Sequence, residues 1–129
     1  MTTNEVRTGS CLCGRVRLTI SGPMRPVVAC HCSQCRKQSG HYFAATSAPD
    51  DTIAIEGEDH VKWYRASDEA RRGFCRECGS ILFWKHEAED KTSILAGCLD
   101  SPTGLKLGSH IYCADKGDYY EITDGLPQS

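Results

Sequence analysis

The sequence predicts a mainly β domain of short antiparallel strands with a few helical turns. Two features indicate this: short segments of alternating polar and apolar residues, and turn residues between them. A chain of this length fits one domain, so we expect a single domain over 1–129 with its core over about 9–127. Aromatic residues make up only 8%, so metal cross-links would help a small core.

Seven segments have the pattern of β-strands. In the first, Val16, Leu18 and Ile20 alternate with polar residues, and a Ser-Gly-Pro turn follows. The predicted strands span residues 15–20, 42–46, 52–55, 61–65, 81–85, 92–96 and 110–113. A further short apolar run, 27–29, leads into Cys30. Short strands between turns favour an antiparallel sheet over a βαβ fold.

Two segments have helical character. The segment 33–39 ends at Gly40, which predicts one or two helical turns closed by a glycine. A second helical segment is predicted over 66–72.

Charge and hydropathy restrict the classes of partner. The formal net charge is -2 with both signs intermixed, so we expect no nucleic-acid partner. The chain has no apolar run of 18 residues, so we expect no membrane span. Residues 1–10 are polar and lack the apolar centre of a signal peptide, so a cytoplasmic location is expected.

Nine cysteines suggest either a secreted disulfide scaffold or a metal protein of a reducing compartment. The odd count and the polar start favour metal. Seven of the cysteines fall into three short motifs: Cys11-Leu12-Cys13-Gly14, Cys30-His31-Cys32-Ser33-Gln34-Cys35, and Cys75-Arg76-Glu77-Cys78-Gly79. This spacing is far more typical of metal ligands than of disulfide halves.

Two of these motifs together form a complete ligand set. Cys11 and Cys13 form one pair and Cys75 and Cys78 the other, and four thiolates fill a tetrahedral zinc site. We therefore predict a structural zinc that joins the start of the chain to its middle. Serine at any of these cysteines is expected to unfold the domain, because metal-binding energy here is folding energy.

The remaining motif supplies three ligands: Cys30, Cys32 and Cys35. Three thiolates leave one zinc position open, which distinguishes catalytic from closed sites. Alternatively a fourth protein ligand closes the site, or the three cysteines are weakly metallated or disulfide-bonded. The candidates for a fourth ligand are His31, His41, Cys98 and Cys113.

Cations beside this trio would offset its charge. Zinc with three thiolates carries a net charge of about -1, and Arg36 and Lys37 directly follow the last ligand. Amides at the start of the predicted helix, near Ser33, would act in the same direction. Alternatively, both cations are simply solvated and do not act on the site. An open zinc position lowers the pKa of a bound thiol.

The order of these motifs resembles that of the glutathione-dependent formaldehyde-activating enzyme family. The resemblance extends over about 9–127. It is carried by the three cysteine motifs and by Phe74, Arg36, Ala96-Gly97-Cys98-Leu99-Asp100, His110-Ile111 and Asp124-Gly125-Leu126-Pro127. Two positions depart from the family pattern: Cys98 stands where a hydroxyl residue is common, and Tyr119-Tyr120 where a tryptophan is frequent.

The resemblance implies an Mss4-like fold of antiparallel β-sheets with short helical turns, cross-linked by two zinc ions. It assigns the structural zinc to Cys11, Cys13, Cys75 and Cys78, and the zinc used in chemistry to Cys30, Cys32 and Cys35. The implied activity is that of a carbon–sulfur lyase, the addition of glutathione to formaldehyde. Family membership alone does not fix the substrate thiol or aldehyde.

Three functions compete at this stage. The first is the enzyme, for which His31, His41 and Tyr42 are the nearest candidates for a general acid. The second is a zinc-stabilised binding module without activity, whose groove would be lined by Trp63, Tyr64, Tyr112, Tyr119 and Tyr120. The third is a redox or zinc-sensing switch at the Cys30 motif. Sequence leaves the oligomeric state open.

Overall fold

A computed structural model describes residues 5–129, so residues 1–4 of the predicted domain lie outside the described range. The described chain is mainly β, as predicted. Its strands are β1 (Val6–Ser10), β2 (Arg17–Ser21), β3 (Val27–Cys30), β4 (Phe43–Pro49), β5 (Ile53–Glu56), β6 (Val61–Arg65), β7 (Ala70–Cys75), β8 (Ile81–His86), β9 (Lys91–Leu95) and β10 (Leu107–Ile111). The α-helix, α1, spans Ser33–Ser39.

The strands form two sheets. β1, β2 and β5 make a three-stranded antiparallel sheet. The other seven are ordered β10-β3-β4-β9-β8-β7-β6. β10 pairs with β3 in parallel, whereas the sequence predicts antiparallel pairing, and the other pairs are antiparallel. The connection from β9 to β10 passes β4 and β3 and places β10 at the edge of the sheet. β10 therefore runs in the same direction as β3 and β9.

The observed elements agree with most of the predicted ones. α1 has the predicted bounds, and Gly40 ends it with a φ of 85°, in the left-handed region. β6 also has the predicted bounds. The last strand covers Leu107–Ile111, earlier than the predicted 110–113. β1 has no counterpart among the predicted strands.

The predicted helix over 66–72 is wrong. Ala70–Cys75 form β7, which pairs with β6 on one side and with β8 on the other. Alanine and arginine favour helices, but a strand between two neighbours has its backbone groups satisfied on both sides, and this tertiary context prevails.

The main core lies where residues of the two sheets pack against each other. Its largest members are Leu18 and Ile20 of β2, Leu82 and Phe83 of β8, and Ile94 of β9. The two sheets are thereby held with the β1–β2 loop beside the β7–β8 loop, and both loops carry cysteines. Among residues 5–129, no helix is long and apolar enough to cross a membrane.

Candidate metal centres

The first centre joins the two cysteine pairs. The sulfurs of Cys11, Cys13, Cys75 and Cys78 all lie within 4.8 Å of one another. Cys11 and Cys13 come from the β1–β2 loop, whereas Cys75 ends β7 and Cys78 follows in the β7–β8 loop. The cluster therefore connects the small sheet to the large one.

The sulfur spacing fits a tetrahedral ion. Zinc–sulfur bonds of about 2.3 Å at tetrahedral angles place neighbouring sulfurs roughly 3.8 Å apart. The Cys11–Cys13 sulfur distance is 3.6 Å and the Cys13–Cys75 distance is 3.8 Å. Since the nine cysteines are all free thiols in this structure, the donor set suits a thiophilic divalent ion.

Local backbone geometry aims these sulfurs inward. Gly14 and Gly79, which follow the two pairs, have φ of 82° and 80°, a left-handed conformation that favours glycine. The amide of Val16 donates to the Cys11 sulfur at 3.3 Å, and that of Glu77 to the Cys75 sulfur at 3.4 Å. Such donors stabilise thiolate charge.

The second centre is the trio. The sulfurs of Cys30, Cys32 and Cys35 also lie within 4.8 Å of one another. Cys30 ends β3, Cys32 precedes α1 and caps it, and Cys35 lies in its first turn. The cap is a hydrogen bond of 3.4 Å from the Cys35 amide to the Cys32 sulfur. The helix start thus brings the third sulfur back to the first two.

None of the four candidate fourth ligands joins the trio. In residues 5–129 the group of metal-ligating atoms at this site contains only the three sulfurs. The Cys98 thiol donates to the Leu95 carbonyl at 3.0 Å and packs against the main core. His41 is exposed, and its ring lies against the rings of Tyr42 and Tyr120. The donor set is therefore three thiols.

A cavity opens over the trio. It has a volume of about 540 Å³, and Cys30, Cys32 and Cys35 all lie in its wall. Trp84 and Phe43 contribute apolar surface, and the guanidinium groups of two arginines, Arg25 and Arg72, contribute charge. The candidate general acids His31, His41 and Tyr42 do not line it among the described residues.

Arg72 is the cation closest to the trio. Its Nη2 donates to the Cys35 sulfur at 3.5 Å and its Nη1 to Gln38 at 2.9 Å, and the side chain is 4% exposed. Arg36 and Lys37 lie outside the cavity wall. Sequence analysis offers Arg36 and Lys37 as candidate compensating charges and does not identify Arg72, because Arg72 lies in the segment predicted as helix.

The thiol pKa values shift in opposite directions within each cluster. The hydroxyl and amide of Ser80 lower the pKa of Cys78 to about 5, whereas burial raises the pKa of Cys75 to about 11. In the trio, the hydrogen bond between Cys30 and Cys35 lowers the pKa of Cys30 and, with burial, raises that of Cys35. Thiols coupled in this way share protons that a divalent cation would displace.

His31 lies on the opposite side of the chain from its two cysteine neighbours. It is 1% exposed, and its Nε2 lies 2.9 Å from Nδ1 of His110. Its Nδ1 pairs with the hydroxyl of Tyr120, and Nε2 of His110 lies 2.8 Å from a carboxylate oxygen of Asp124. No local pattern in the sequence indicates that these four side chains meet, since they come from distant parts of the chain.

Comparisons with known proteins show the family of the chain and its fold. The sequence model of the family described as "Glutathione-dependent formaldehyde-activating enzyme" matches residues 6–115, which include all seven clustered cysteines. A crystal structure of a Rhodobacter sphaeroides protein superposes with a TM-score of 0.64, at 19% identity, over 95% of this chain and 99% of that one. It supports the fold alone.

Two curated proteins are similar in sequence. A Halomonas elongata protein named "Putative glutathione-dependent formaldehyde-activating enzyme" is 31% identical over 127 residues, covering 88% of this chain and 79% of its own length. A Schizosaccharomyces pombe protein named as an uncharacterised lyase is 26% identical over 117 residues, covering 90% of this chain and 85% of its own length. The chain therefore belongs to the glutathione-dependent formaldehyde-activating enzyme family.

Proposed function

We propose that this protein is a zinc-dependent carbon–sulfur lyase that adds a small thiol, glutathione, to an aldehyde such as formaldehyde. Cys11, Cys13, Cys75 and Cys78 hold a structural zinc. Cys30, Cys32 and Cys35 hold a second zinc, at the wall of the cavity where the reaction takes place. The family and the names of the relatives support the substrates.

One observation carries the proposal: three thiols converge at the wall of a cavity of about 540 Å³, with no fourth protein donor among the described residues. The first cluster has four sulfurs and fills a tetrahedron by itself. A purely structural second site would need a further ligand. The contrast between four donors and three is what assigns chemistry to the trio.

Zinc held by Cys30, Cys32 and Cys35 would lower the pKa of a thiol bound to it. The protein's own groups stabilise the thiolates and exclude water from the cavity. Arg72 places a positive charge against Cys35, which offsets the charge of the thiolates. The apolar faces of Phe43 and Trp84 shield one side of the cavity from water.

The reaction balances without a further reactant. The thiol sulfur forms a bond to the carbonyl carbon, and the carbon–oxygen double bond becomes single. The thiol's proton leaves to solvent, and the carbonyl oxygen takes one proton from solvent. The product is an S-hydroxymethyl thioether, and the role left to the cavity is to hold the thiol and the aldehyde together.

The test is exchange NMR on mixtures of glutathione and formaldehyde with micromolar zinc-loaded protein. We expect faster exchange between formaldehyde and the thiol adduct than in protein-free buffer. Metal analysis should find two zinc ions per chain. Unchanged exchange with two zinc ions bound would remove formaldehyde and glutathione from the proposal.

Two serine variants separate the sites. Cys32→Ser removes a trio sulfur, so it should lose the acceleration and one zinc ion but keep the fold. Cys98→Ser is the matched control, because Cys98 belongs to neither cluster. It should keep both zinc ions and the acceleration. Full activity in Cys32→Ser would contradict the proposed site.

A further inference from the structure

We propose that a hydrogen-bonded chain of Tyr120, His31, His110 and Asp124, whose two imidazoles are buried, positions the cysteine trio for metal. The inference rests on the proposed zinc site at the trio, and it assigns a role to residues that lie outside it. Tyr120 and Asp124 also lie beyond residues 6–115, the part that the family model matches. The chain runs through the one residue that separates two of the metal ligands.

Local backbone geometry links His31 to the direction of its neighbours. Cys30 ends a strand, and Cys32 has φ -65° and ψ 160°, so the backbone is extended from one cysteine to the next. Successive side chains of extended backbone point to opposite sides. Cys30 and Cys32 accordingly face the cavity while His31 is buried behind them. Contacts that hold the His31 ring therefore also hold the backbone of residues 30–32 in one orientation. That orientation directs the sulfurs of Cys30 and Cys32 toward the cavity.

Hydrogen bonds join the four residues end to end. The Asp124 carboxylate can only accept, so Nε2 of His110 donates to it at 2.8 Å. Nδ1 of His110 and Nε2 of His31 share the next hydrogen bond, across 2.9 Å. Nδ1 of His31 pairs with the Tyr120 hydroxyl. Each imidazole ring is therefore held at both nitrogens.

The far end of the chain is anchored in the C-terminal segment. The amide of His110 donates to the Pro127 carbonyl at 2.9 Å, and that of Ser129 to the His110 carbonyl at 3.0 Å. A second carboxylate oxygen of Asp124 accepts from the Leu126 amide at 3.0 Å. The His31 ring also lies near the Tyr120 ring, with centroids 5.6 Å apart. The segment after β10 thus forms a rigid support behind the trio.

A direct part in proton transfer does not fit the geometry. The four members of the chain are absent from the wall of the cavity over the trio, so they do not reach a substrate there. They act instead through the backbone of residues 30–32. The four-cysteine centre has no contact with this set in the described chain. The effect of breaking the chain should therefore be confined to one metal site.

The test is a cobalt(II) titration of the full chain with a competing chelator. Cys32→Ser supplies the signal of the four-cysteine centre alone, and subtraction gives the trio. Groups that hydrogen-bond metal ligands are worth about 10–100-fold in affinity, and the lower figure applies here because these residues orient the ligands through the backbone. We expect Asp124→Ala and Tyr120→Phe each to weaken cobalt binding at the trio by about tenfold, with the four-cysteine centre unchanged. Asp124→Asn retains an acceptor oxygen and should give an intermediate affinity.

Asp118→Ala is the matched control, because Asp118 is exposed, lies on the same segment and makes no hydrogen bond through its side chain in the described structure. It removes the same charge and should leave both sites unchanged. Wild-type affinity at the trio in both Asp124→Ala and Tyr120→Phe would overturn the inference and leave the proposed function intact. Equal weakening of both sites would overturn it too, as general destabilisation. Cobalt binding at only one site of the wild type would refute the proposed function itself.

Nitrogen-15 NMR of the histidine rings gives a second readout that needs no substitution. Nε2 of His110 should carry a proton, because the Asp124 carboxylate can only accept. An unprotonated Nε2 on His110 would contradict the chain.

Discussion

Nη2 of Arg72 lies 3.5 Å from the sulfur of Cys35, which places a buried cation against one thiol of the trio. The guanidinium group also contacts the ring of Phe43, with its carbon 5.2 Å from the ring centroid. Its Nη1 is held by Gln38. A cation fixed by three neighbours is a permanent part of the site, and it offsets the charge of thiolates in a poorly hydrated wall.

We expect Arg72→Met to weaken metal binding at the trio by at least about tenfold. The reason is that the thiolates lose a charge-assisted hydrogen bond, which is worth about 1.5–3 kcal/mol, while methionine keeps most of the volume. Arg72→Lys keeps the charge but cannot bridge Cys35 and Gln38, so its affinity should be intermediate. Cobalt titration with a competing chelator measures both. Equal affinities in the three proteins would show that the charge of Arg72 is not used.

Sequence could predict the ligand clusters because each pair or trio is local. Two cysteines with one or two residues between them can bind the same ion whatever surrounds them. Strands in which polar and apolar residues alternate clearly, such as Val61–Arg65, can be predicted because that pattern is also local. Arg72 could not be predicted as part of the site. Ala70–Cys75 forms a strand only because β6 and β8 pair with it on either side. The alternation of that segment is also broken, since the adjacent residues Arg72 and Gly73 are both buried.

The hydrogen-bonded chain behind the trio is another feature that could not be predicted from sequence, because it depends on contacts between distant segments. His31 and His110 are 79 residues apart, and only the parallel pairing of β10 with β3 brings them together. The sequence predicted antiparallel sheets and gave no reason to expect that pairing. His31, His110 and Asp124 each stand in a motif that carries the family resemblance, but those motifs lie far apart in the sequence and do not indicate that the three side chains meet.

A second prediction compares serine at the two centres. Cys75 is fully buried, belongs to the main core and connects the two sheets through the four-cysteine cluster. We expect Cys75→Ser to unfold the domain, since zinc binding there supplies folding energy. Cys32→Ser removes a sulfur from the cavity wall, so the fold should survive. Thermal unfolding followed by circular dichroism, with zinc in excess, distinguishes them. Two folded variants of equal stability would show that the four-cysteine centre is dispensable.

The third prediction concerns a glycine that supports the β1–β2 loop. Gly57 has φ of 79°, and a Cβ there would lie 1.9 Å from the carbonyl oxygen of Arg15, just after the first cysteine pair. We expect Gly57→Ala to lower the free energy of unfolding by about 3 kcal/mol, since left-handed strain and a backbone clash add. Gly40→Ala is the control: φ is 85° but the space is open, so the loss should be about 1 kcal/mol. Urea unfolding measures both, and equal losses would mean that the Arg15 loop moves aside without cost.

The last prediction concerns the reactivity of Cys98, the cysteine at a position where the family commonly has a hydroxyl residue. Burial raises the pKa of its thiol to about 12, so the thiolate appears only as the pH rises toward that value. Since the thiolate is the reactive form, Cys98 in the folded zinc-loaded protein should resist iodoacetamide at pH 8, whereas urea-unfolded protein should react there. Peptide mass spectrometry after labelling reads each site separately. The Cys98→Ser variant retains a donor for the Leu95 carbonyl, so its stability should change by less than about 1 kcal/mol. Labelling of Cys98 in the folded protein at the rate of the unfolded one would show that its thiol is neither shielded nor neutral.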